Sequence, residues 1–371
     1  HLKIYLNYLL NDILKPSSMK IINVGLLGYG MAGQVFHAPI INCISGFNIK
    51  SIRTTNPDWS RKAIDRYPKV EIVTESDIII EDPKIDLVIV VTPNEFHYPL
   101  ARKALLARKH VVVDKPFTVT SAEASNLIQL AKSKNLLMSV YHNRRFVSDF
   151  FAAKKIINSK RLGRIVEVIM NFDRFRSSFN GNWRENLVPG SGILYDLGSH
   201  LIDQSIVFFG LPEFITADLR KQRGGKAIDY FDLRLDYPGL RVNLKSSMLV
   251  KIPGPVFKLN GMNGTFEKFG LDIQEEDLSA GLTPDDKKNW GQEPIEHSGK
   301  LSLLVDGQDI TETIVSPPGN FRKYYQNIYD ALIYSKPLLV DPKDAMYTIK
   351  IIEIASESAN KKCTLPMEII V

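Results

Sequence analysis

Residues 190–204 read GSGILYDLGSHLIDQ and place Asp196 four positions before His200 in a stretch with helical apolar spacing. On a helix these two side chains share one face, with Cβ atoms about 6 Å apart, so the carboxylate can orient or stabilise the imidazole. A histidine titrates near neutral pH and can accept the proton of an alcohol while the carbon loses hydride. The preceding glycines allow a ligand close to the backbone. The alternative is that Asp196 caps the helix and His200 packs in the core.

A second candidate is Lys115, which follows the apolar run VVVD and precedes Pro116. Ligands of parallel sheets bind at the carboxyl ends of the strands, and Pro116 ends the strand at that edge. A lysine there can donate a hydrogen bond to the reacting oxygen and stabilise its developing negative charge. The alternative is an ordinary solvent-exposed lysine at a strand end.

The segment TPNEFH at residues 92–97 follows the neighbouring apolar run DLVIVV and therefore begins at the same edge. Four of its residues could line the nicotinamide side of a cofactor site: Thr92, Pro93, Asn94 and His97. The alternative is that they only begin the next helix.

The turn GYGMAG at residues 28–33 follows an apolar strand and begins a helix, which is the setting that a dinucleotide fingerprint requires. Gly28 permits the tight turn, Gly30 lets the backbone approach a pyrophosphate, and Gly33 allows close helix packing. The helix N-terminus favours the phosphate charge. The predicted cofactor contacts here are Gly28, Tyr29, Gly30, Met31, Ala32 and Gly33. A purely structural glycine turn is the alternative.

The choice between NAD and NADP depends on the residue about 20 positions beyond the glycine turn, where an acid would bind the ribose 2′-hydroxyl and repel a 2′-phosphate. The predicted second strand ends instead at Arg53, Thr54, Thr55 and Asn56, with no carboxylate before Asp58. A cation and hydroxyl groups can donate to phosphate, so we expect NADP, with NAD as the alternative. Arg53 by itself could equally point to solvent.

A parallel sheet is needed to bring these residues together, and the first half of the chain predicts one. Strand patterns at 21–28, 47–54, 71–74, 86–92, 110–116 and 136–141 alternate with helical patterns near 31–44, 58–66, 95–109 and 121–134. This alternation is typical of a doubly wound α/β domain with helices on both faces. We therefore expect a dinucleotide-binding Rossmann domain over residues 19–141.

The second half, residues 142–371, predicts a substrate-binding and oligomerisation α+β domain with a large, mainly antiparallel open sheet. Strand-like stretches run from RIVEVIMNFDRF to ITETIVS, with Tyr-Pro-Gly at a hairpin position, and helical patterns near 320–335 and 343–360 close the chain. The charged segment 274–294 lacks periodicity and predicts an exposed loop, which could cover an active site or a subunit contact. The two domains would form a cleft that binds substrate.

GYGMAG, TPNEFH, DKP and GSGILYDLGSHLID, in this order and at these separations, resemble the motifs of the Gfo/Idh/MocA oxidoreductases, the glucose-fructose oxidoreductase and inositol 2-dehydrogenase family. The resemblance extends from about residue 20 to the end of the chain. SVYHNRRF, NFDRFR and WRE are most similar to NADP-dependent scyllo-inositol dehydrogenases within that family. The resemblance implies a dehydrogenase that transfers hydride between nicotinamide C4 and a CH–OH group of a cyclic polyol or sugar.

The same resemblance places Lys115, Asp196 and His200 at the family's catalytic positions. It implies that His200 takes the hydroxyl proton, that Lys115 holds the same oxygen, and that Asp196 positions substrate or histidine. Similar enzymes often have a cis peptide at the corresponding Lys-Pro bond, so the resemblance makes a cis bond between Lys115 and Pro116 possible. The family more often has Glu where Asp114 stands, so the cofactor contact expected of this carboxylate is open.

Two further residues are candidates for substrate contacts. His142 follows the last parallel strand, and Arg184 precedes the glycine-rich segment, so both could reach the cleft. The alternative for Arg184 is a surface ion pair, and its neighbour Trp183 could be a core aromatic.

The composition of the 371 residues bears on partners and compartment. The 47 Lys and Arg against 41 Asp and Glu give a net charge of +6 that is spread along the chain, so we predict no nucleic-acid partner. Cys43 and Cys363 are far apart, which suits a reducing compartment, and we expect a cytoplasmic protein with no membrane partner. Residues 1–18 fit neither a signal peptide nor a membrane span, and we interpret them as a start-site or cloning extension, with an amphipathic docking helix as the alternative.

Several alternatives stay open at this point. Aldose or trans-dihydrodiol oxidation could use the same catalytic residues, since these do not choose the substrate. From another class, the chain could be a non-catalytic sensor that binds the cofactor and regulates a partner. We predict no metal, because Asp196, His200 and Asp203 lack a further histidine or cysteine at ligand spacing. An open sheet face favours a homodimer or homotetramer.

Overall fold

The computed structural model of the protein describes residues 20–369, and the predicted N-terminal extension at residues 1–18 lies outside the described residues. Within this range the chain forms a six-stranded sheet followed by a nine-stranded sheet. The cleft between them contains all three candidate catalytic residues, Lys115, Asp196 and His200.

The first sheet is parallel, with the strand order β3-β2-β1-β4-β5-β6. Its strands are β1 (Ile22–Leu27), β2 (Phe47–Arg53), β3 (Glu71–Val73), β4 (Leu87–Val90), β5 (His110–Asp114) and β6 (Met138–Tyr141). Every residue of β4 is buried, because helices cover both faces of the sheet. The predicted doubly wound sheet is confirmed. Its order reverses between β1 and β4, where such sheets bind ligands.

The helices of this part are α1 (Ala38–Asn42), α2 (Pro57–Arg66), α3 (Ser76–Glu81), α4 (His97–Leu106) and α5 (Ser121–Ser133). Asn56 caps α2 through its side-chain oxygen, and Thr120 forms a capping box with Glu123 on α5. A π-helical turn, Gly33–His37, precedes α1, so the helix predicted at 31–44 has two parts. The sequence pattern did not predict α3, which is too short to show a helical period.

The second sheet is mainly antiparallel, as predicted, with the order β14-β13-β12-β11-β7-β10-β9-β8-β15 and a parallel pair at β7 and β10. Its strands are β7 (Ile165–Asn171), β8 (Phe214–Arg220), β9 (Tyr230–Tyr237), β10 (Leu240–Ser247), β11 (Phe257–Gly261), β12 (Gly264–Lys268), β13 (Gly299–Val305), β14 (Gln308–Ile314) and β15 (Leu365–Pro366). The predicted hairpin joins β9 to β10, and Gly239 in its turn has a φ of +70°. Such a φ favours glycine.

Two helices lie on one face of this sheet, α6 (Ser148–Ser159) and α7 (Ser199–Phe209). A second π-helical turn, Leu194–Gly198, leads directly into α7. Along β9 the side chains alternate between buried and half-buried, so one face of the sheet is core and the other is open. The sequence pattern did not predict α6, although it positions a buried acid, Asp149, beside α7.

The remaining helices are α8 (Gln274–Ser279), α9 (Arg322–Tyr334) and α10 (Pro342–Lys361). The last of these packs against α5 and β6 of the first domain as well as α7 and β8 of the second. The backbone N–H and hydroxyl of Ser121 donate to the Glu353 carboxylate at 2.7 and 2.6 Å. Tyr324 and Tyr325 of α9 pack on Tyr141 with ring centroids 4.8 and 5.4 Å apart. The final helices therefore complete the core of the first domain.

The prediction of an exposed loop over residues 274–294 is wrong at its start, which forms α8. Gln274 is fully buried, and its side-chain oxygen accepts hydrogen bonds from the Phe321 backbone at 2.7 Å and the Trp290 indole at 2.9 Å. The segment is buried through polar contacts rather than an apolar stripe, so no hydrophobic period marks it. Glu275 nevertheless lines the main cleft, in keeping with the idea that this segment covers a site.

Candidate active site

The glycine turn closes tightly between β1 and the first π-helical turn. Gly28 has a φ of +117°, and a Cβ atom there would lie 2.3 Å from the Val91 carbonyl oxygen. A Cβ at Gly33 would lie 2.7 Å from the Gly28 oxygen, whereas one at Gly30 would meet only the Trp59 ring at 3.6 Å. Backbone atoms therefore crowd Gly28 and Gly33, whereas there is free space next to Gly30. This space fits the approach of a pyrophosphate.

Residues beside this turn supply further groups that a dinucleotide could contact. Met31 is exposed and, with Ala32, lines the main cleft, while Tyr29 is buried beneath the turn. The Thr92 hydroxyl, at the end of β4, is enclosed and has no hydrogen-bond partner among the described residues. Thr92 does not line the main cleft, so this hydroxyl is a buried polar group beside the turn.

The end of β2 holds the residues predicted to distinguish NADP from NAD. Arg53 Nε donates to the Thr74 carbonyl at 2.8 Å, which anchors the guanidinium at the strand end. Thr54 is buried and accepts a hydrogen bond from the Asn56 backbone at 3.3 Å, while Thr55 is exposed. These residues present a cation and hydroxyl groups, and Arg53 forms no ion pair within residues 20–369, so the strand end has donors that suit a phosphate.

Asn94 and His97 lie inside the protein, where they hold the strand-end loops together. Asn94 Nδ2 donates to the Gly190 carbonyl at 2.7 Å, which ties the first domain to the glycine-rich segment of the second. The ring nitrogens of His97 lie 2.8 Å from the Pro116 carbonyl and 2.9 Å from the Thr92 carbonyl. Both ring nitrogens therefore contact backbone carbonyls, so His97 positions backbone rather than ligand, and burial lowers its pKa.

Lys115 and Asp196 form the central contact of the main cleft, which encloses about 230 Å³. Lys115 Nζ donates to the Asp196 carboxylate at 2.7 Å and to its backbone carbonyl at 2.8 Å, and Arg184 Nε lies 3.5 Å from the same carboxylate. Burial raises the pKa of Asp196, but the two cations outweigh burial and lower the pKa to about 2. Asp196 therefore carries its charge throughout the neutral range. The Lys115-Pro116 peptide bond is cis.

The predicted pairing of Asp196 with His200 does not occur among the described contacts. Asp196 lies in the π-helical turn Leu194–Gly198, whereas His200 lies in α7, so the α-helical spacing used for the prediction does not apply. The alternative of a helix cap is also absent, because the Asp196 side chain bonds Lys115 instead. The carboxylate thus positions the lysine and not the imidazole.

His200 lines the main cleft and is only 5% exposed. Its Nδ1 is enclosed without a hydrogen-bond partner in the described part of the chain. Burial lowers the pKa of His200 well below its usual range, and the charges of Lys115 and Arg144 lower it further. The imidazole is therefore neutral at physiological pH, which is the form that can accept a proton.

Asp114 contacts a buried pair that the sequence interpretation missed. Its carboxylate accepts a hydrogen bond from the Lys115 backbone at 2.9 Å and lies 3.3 Å from His37 Nε2. The other His37 nitrogen lies 2.6 Å from the Tyr325 hydroxyl. Burial raises the pKa of Asp114, but His37 and Lys115 outweigh it and lower the pKa below its usual value. This carboxylate supports the loop that carries Lys115.

His142 lies beneath the cleft rather than in its wall. The ring is 1% exposed, its Nδ1 lies 3.7 Å from the Asp203 carboxylate, and burial lowers its pKa to about 4. Asp203 in turn accepts two hydrogen bonds from Arg145, at 2.6 and 2.8 Å.

Residues 20–369 hold no cluster of three or more histidine, cysteine or acidic side chains placed to bind a metal ion.

Several charged residues of the cleft were not predicted. They are Arg174, Arg176, Glu185, Arg223 and Glu275. Asn143 and Arg144, which directly follow His142 after the last parallel strand and were expected to be able to reach the cleft, line it as well. Arg144 pairs with Glu275 at 2.6 Å, and Arg174 lies over the Phe172 ring at 4.5 Å. Because side chains two apart on an extended chain share a face, the spacing of Phe172, Arg174 and Arg176 just beyond β7 could have indicated a common wall.

This arrangement defines a nicotinamide-dinucleotide oxidoreductase: a glycine turn at the switch point of a parallel sheet faces a lysine, a carboxylate and a neutral histidine across one cleft. The chain belongs to the Gfo/Idh/MocA family of oxidoreductases. Residues 22–142 match the family's NAD-binding Rossmann fold and residues 154–369 match its C-terminal alpha/beta domain. The family membership predicted from the motifs is confirmed.

Individual relatives align along almost the whole chain. The chain is 38% identical to scyllo-inositol 2-dehydrogenase (NADP(+)) IolW of Bacillus subtilis, over 94% of this chain and 96% of the relative. It is 41% identical to the oxidoreductase YdgJ of Escherichia coli, over 93% and 98%. The solved structure of the yvaA protein from Bacillus subtilis superposes with a TM-score of 0.91 at 38% identity, covering 95% and 99%. Between residues 20 and 369, no helix has both the length and the apolar character of a membrane span.

Proposed function

We propose that the protein is an NADP-dependent dehydrogenase that oxidises a hydroxyl group of a cyclic polyol or sugar, with scyllo-inositol as the specific substrate to test first. The observation that carries this proposal is the placement of Lys115, Asp196 and His200 in one cleft beside the glycine turn. The similarity to IolW supports both the substrate and the cofactor.

Each residue has a distinct role in the proposed reaction. His200 is neutral and takes the proton of the substrate hydroxyl. Lys115 donates a hydrogen bond to the same oxygen, and Asp196 positions the Lys115 ammonium by holding it at the cleft wall. When bound, the oxidised nicotinamide accepts the hydride that leaves the carbon.

The cofactor would lie along the glycine turn and the ends of β2, β4 and β5. We expect backbone contacts from residues 28–33 to the pyrophosphate, and contacts from Arg53 and Thr55 to the 2′-phosphate. Thr92 and Pro93 would line the nicotinamide side, and Asp114 would support it through the Lys115 loop. Asn94 and His97 would act indirectly, because both are buried among backbone groups.

We expect Arg184 to contact the substrate directly, because its side chain lies beside Asp196 in the cleft. His142 would influence substrate only through the residues that separate it from the cleft, since it is enclosed.

We also expect two or four copies to assemble through the open face of the second sheet, and a cytoplasmic location. We further propose a division into a nucleotide-binding domain at 19–141 and a substrate-binding domain at 142–371.

A second candidate substrate is a cyclic diol or sugar that carries a carboxylate. Arg174 and Arg176 line the cleft, and neither forms an ion pair within residues 20–369. A substrate carboxylate would give such a guanidinium a bidentate partner. This observation favours the carboxylated class over neutral aldoses as the alternative to inositol.

The test is an absorbance assay of nicotinamide reduction with NADP and NAD in parallel. The panel contains scyllo-inositol, myo-inositol, glucose, glucuronate and a trans-dihydrodiol. We expect reduction of NADP with an inositol, and lost turnover in both His200→Ala and Lys115→Ala with NADPH binding retained. Undiminished turnover in both variants would contradict the assigned roles. NADPH binding without turnover of any compound would favour the sensor function.

A further inference from the structure

His200 faces several groups that disfavour a charged imidazole. Burial lowers its pKa most, and Lys115, Arg144, His142 and Arg174 each lower it further. A proton that His200 takes from a substrate is therefore held poorly and must move on. The enclosed Nδ1 has no hydrogen-bond partner among residues 20–369, so no protein group receives the proton by direct contact.

A small cavity behind His200 offers a route for this proton. The cavity measures about 20 Å³ and is lined by His200 and Gln204 of α7 and by Asp149 of α6. Arg144 and Phe172 lie between it and the main cleft, because both line the two spaces. The rest of the lining is largely apolar, but the polar side chains can bind a water molecule, and a cavity needs only about 10–15 Å³ to hold one. One water can thus stand between the imidazole and the Asp149 carboxyl group.

Asp149 is an unusual neighbour for this cavity because it is a buried acid in an acidic cluster. It is 4% exposed and accepts a hydrogen bond from the Asp272 backbone at 3.1 Å. Burial and the charges of Asp272 and Glu293 raise its pKa, Arg144 and Lys268 lower it, and the result is about 7. A carboxyl group that titrates near neutral pH can both take and return a proton.

We propose that Asp149 is the second proton carrier of the dehydrogenase reaction, joined to His200 through one water molecule in this cavity. The proposal rests on the proposed function. During oxidation the substrate O–H proton passes to His200 Nε2 as the Nδ1 proton passes to the water. That water passes one of its own protons to Asp149, and the hydride leaves the same carbon for the oxidised nicotinamide. Reduction of the carbonyl product uses the same steps in reverse.

The cluster around Asp149 supplies a matched control. Asp272 is equally buried, accepts hydrogen bonds from the Ser148 backbone and from Gln274, and does not line the cavity. A purely structural role for the cluster would affect Asp149→Asn and Asp272→Asn alike. With a relay, only Asp149→Asn loses the ionisation, since an amide at Asp149 cannot accept and return a proton.

The experiment measures the pH dependence and the deuterium-oxide solvent isotope effect of kcat for inositol oxidation by the full chain. Asp149→Asn should lower kcat at pH 7 by about 10- to 100-fold, remove the ionisation near pH 7 and leave the KM for NADP unchanged. Asp272→Asn should keep one ionisation in its profile, moved to lower pH because this variant loses a charge that raises the pKa of Asp149, even if its Tm falls. A wild-type profile in Asp149→Asn, or the same loss of the ionisation in Asp272→Asn, overturns the proposal.

A second readout separates this proposal from the proposed function. If the wild-type protein oxidises no polyol, the proposed function fails, and nitrogen-15 NMR of His200 in the NADPH-bound protein still tests the link. The relay requires the Nδ1-protonated tautomer of His200 in the wild type, because only this tautomer can donate to the water in the cavity. A wild-type His200 protonated at Nε2 instead overturns the relay by itself.

Discussion

Lys115 Nζ donates to both the carboxylate and the backbone carbonyl of Asp196, at 2.7 and 2.8 Å, and so joins the end of β5 to the π-helical turn before α7. The lysine belongs to the first domain and the aspartate to the second. The donor that would hold the reacting oxygen is therefore positioned only when the two domains pack against each other.

Asp196→Asn should lower kcat/KM for polyol oxidation by about 100-fold, because the ammonium keeps the backbone carbonyl but loses its charged acceptor. The affinity for NADPH should stay within about twofold. Steady-state kinetics and NADPH fluorescence titration check both values. Asp218→Asn, at an exposed ion pair on β8, is the control and should behave as wild type. Equal kcat/KM values in the two variants would show that the Lys115 contact has no part in turnover.

Gly28→Ala should abolish NADPH binding and lower the Tm, because its Cβ would lie 2.3 Å from the Val91 carbonyl oxygen at a φ of +117°. Gly210→Ala is the matched control: its φ is +76°, and a Cβ there meets nothing within 4 Å. The control should cost about 1–3 kcal/mol of stability, because its backbone conformation favours glycine, and should leave binding intact. Calorimetric titration with NADPH distinguishes the two, and binding by Gly28→Ala would mean that the turn can rearrange.

Arg53→Gln should lower kcat/KM with NADP by about tenfold while leaving the value with NAD unchanged, because the guanidinium would contact only the 2′-phosphate. The measurement is the ratio of the two kcat/KM values with one polyol. Arg102→Gln, on the exposed side of α4, should leave that ratio unchanged. An unaltered ratio in Arg53→Gln would support the alternative that this residue points to solvent.

Asp149 should make the wild-type protein less stable as the pH rises from about 4 to about 7. Burial and neighbouring acids raise its pKa from 3.8 to about 7, so in this window the folded protein holds a proton that the unfolded chain has released. Asp149→Asn removes this contribution, and its Tm relative to wild type should therefore increase with pH. Thermal unfolding at pH 5 and pH 8 measures the change. A constant difference between the two proteins would rule out a raised pKa.

The cofactor side could be predicted from sequence because its determinants are local. Gly28, Gly30 and Gly33 lie within six consecutive residues, and the strand before them fixes the direction of the turn. The alternation of apolar runs and helical patterns predicted the parallel sheet for the same reason. The cap at Asn56 and the strand end at Arg53 likewise lie next to each other in the chain.

The side of the cleft that holds the proposed catalytic residues could be predicted only in part, because its contacts join distant segments. Lys115 and Asp196 were both identified, but their mutual contact spans 81 positions and the α-helical spacing indicated His200 as the partner instead. Glu275 reaches Arg144 across 131 positions from a segment without hydrophobic periodicity. No local pattern encodes such contacts, since they depend on how the two sheets pack.

The helices α9 and α10 bear on how the protein is made. Tyr324 and Tyr325 pack on Tyr141, and the Glu353 carboxylate accepts a hydrogen bond from Ser121. Part of the core of the first domain is therefore formed by helices that follow the second domain's sheet in the chain. Domains of a growing polypeptide generally fold as units, the N-terminal one first. Here the core of the nucleotide-binding half cannot be completed until residues 322–361 have left the ribosome, although residues 22–142 emerge long before them.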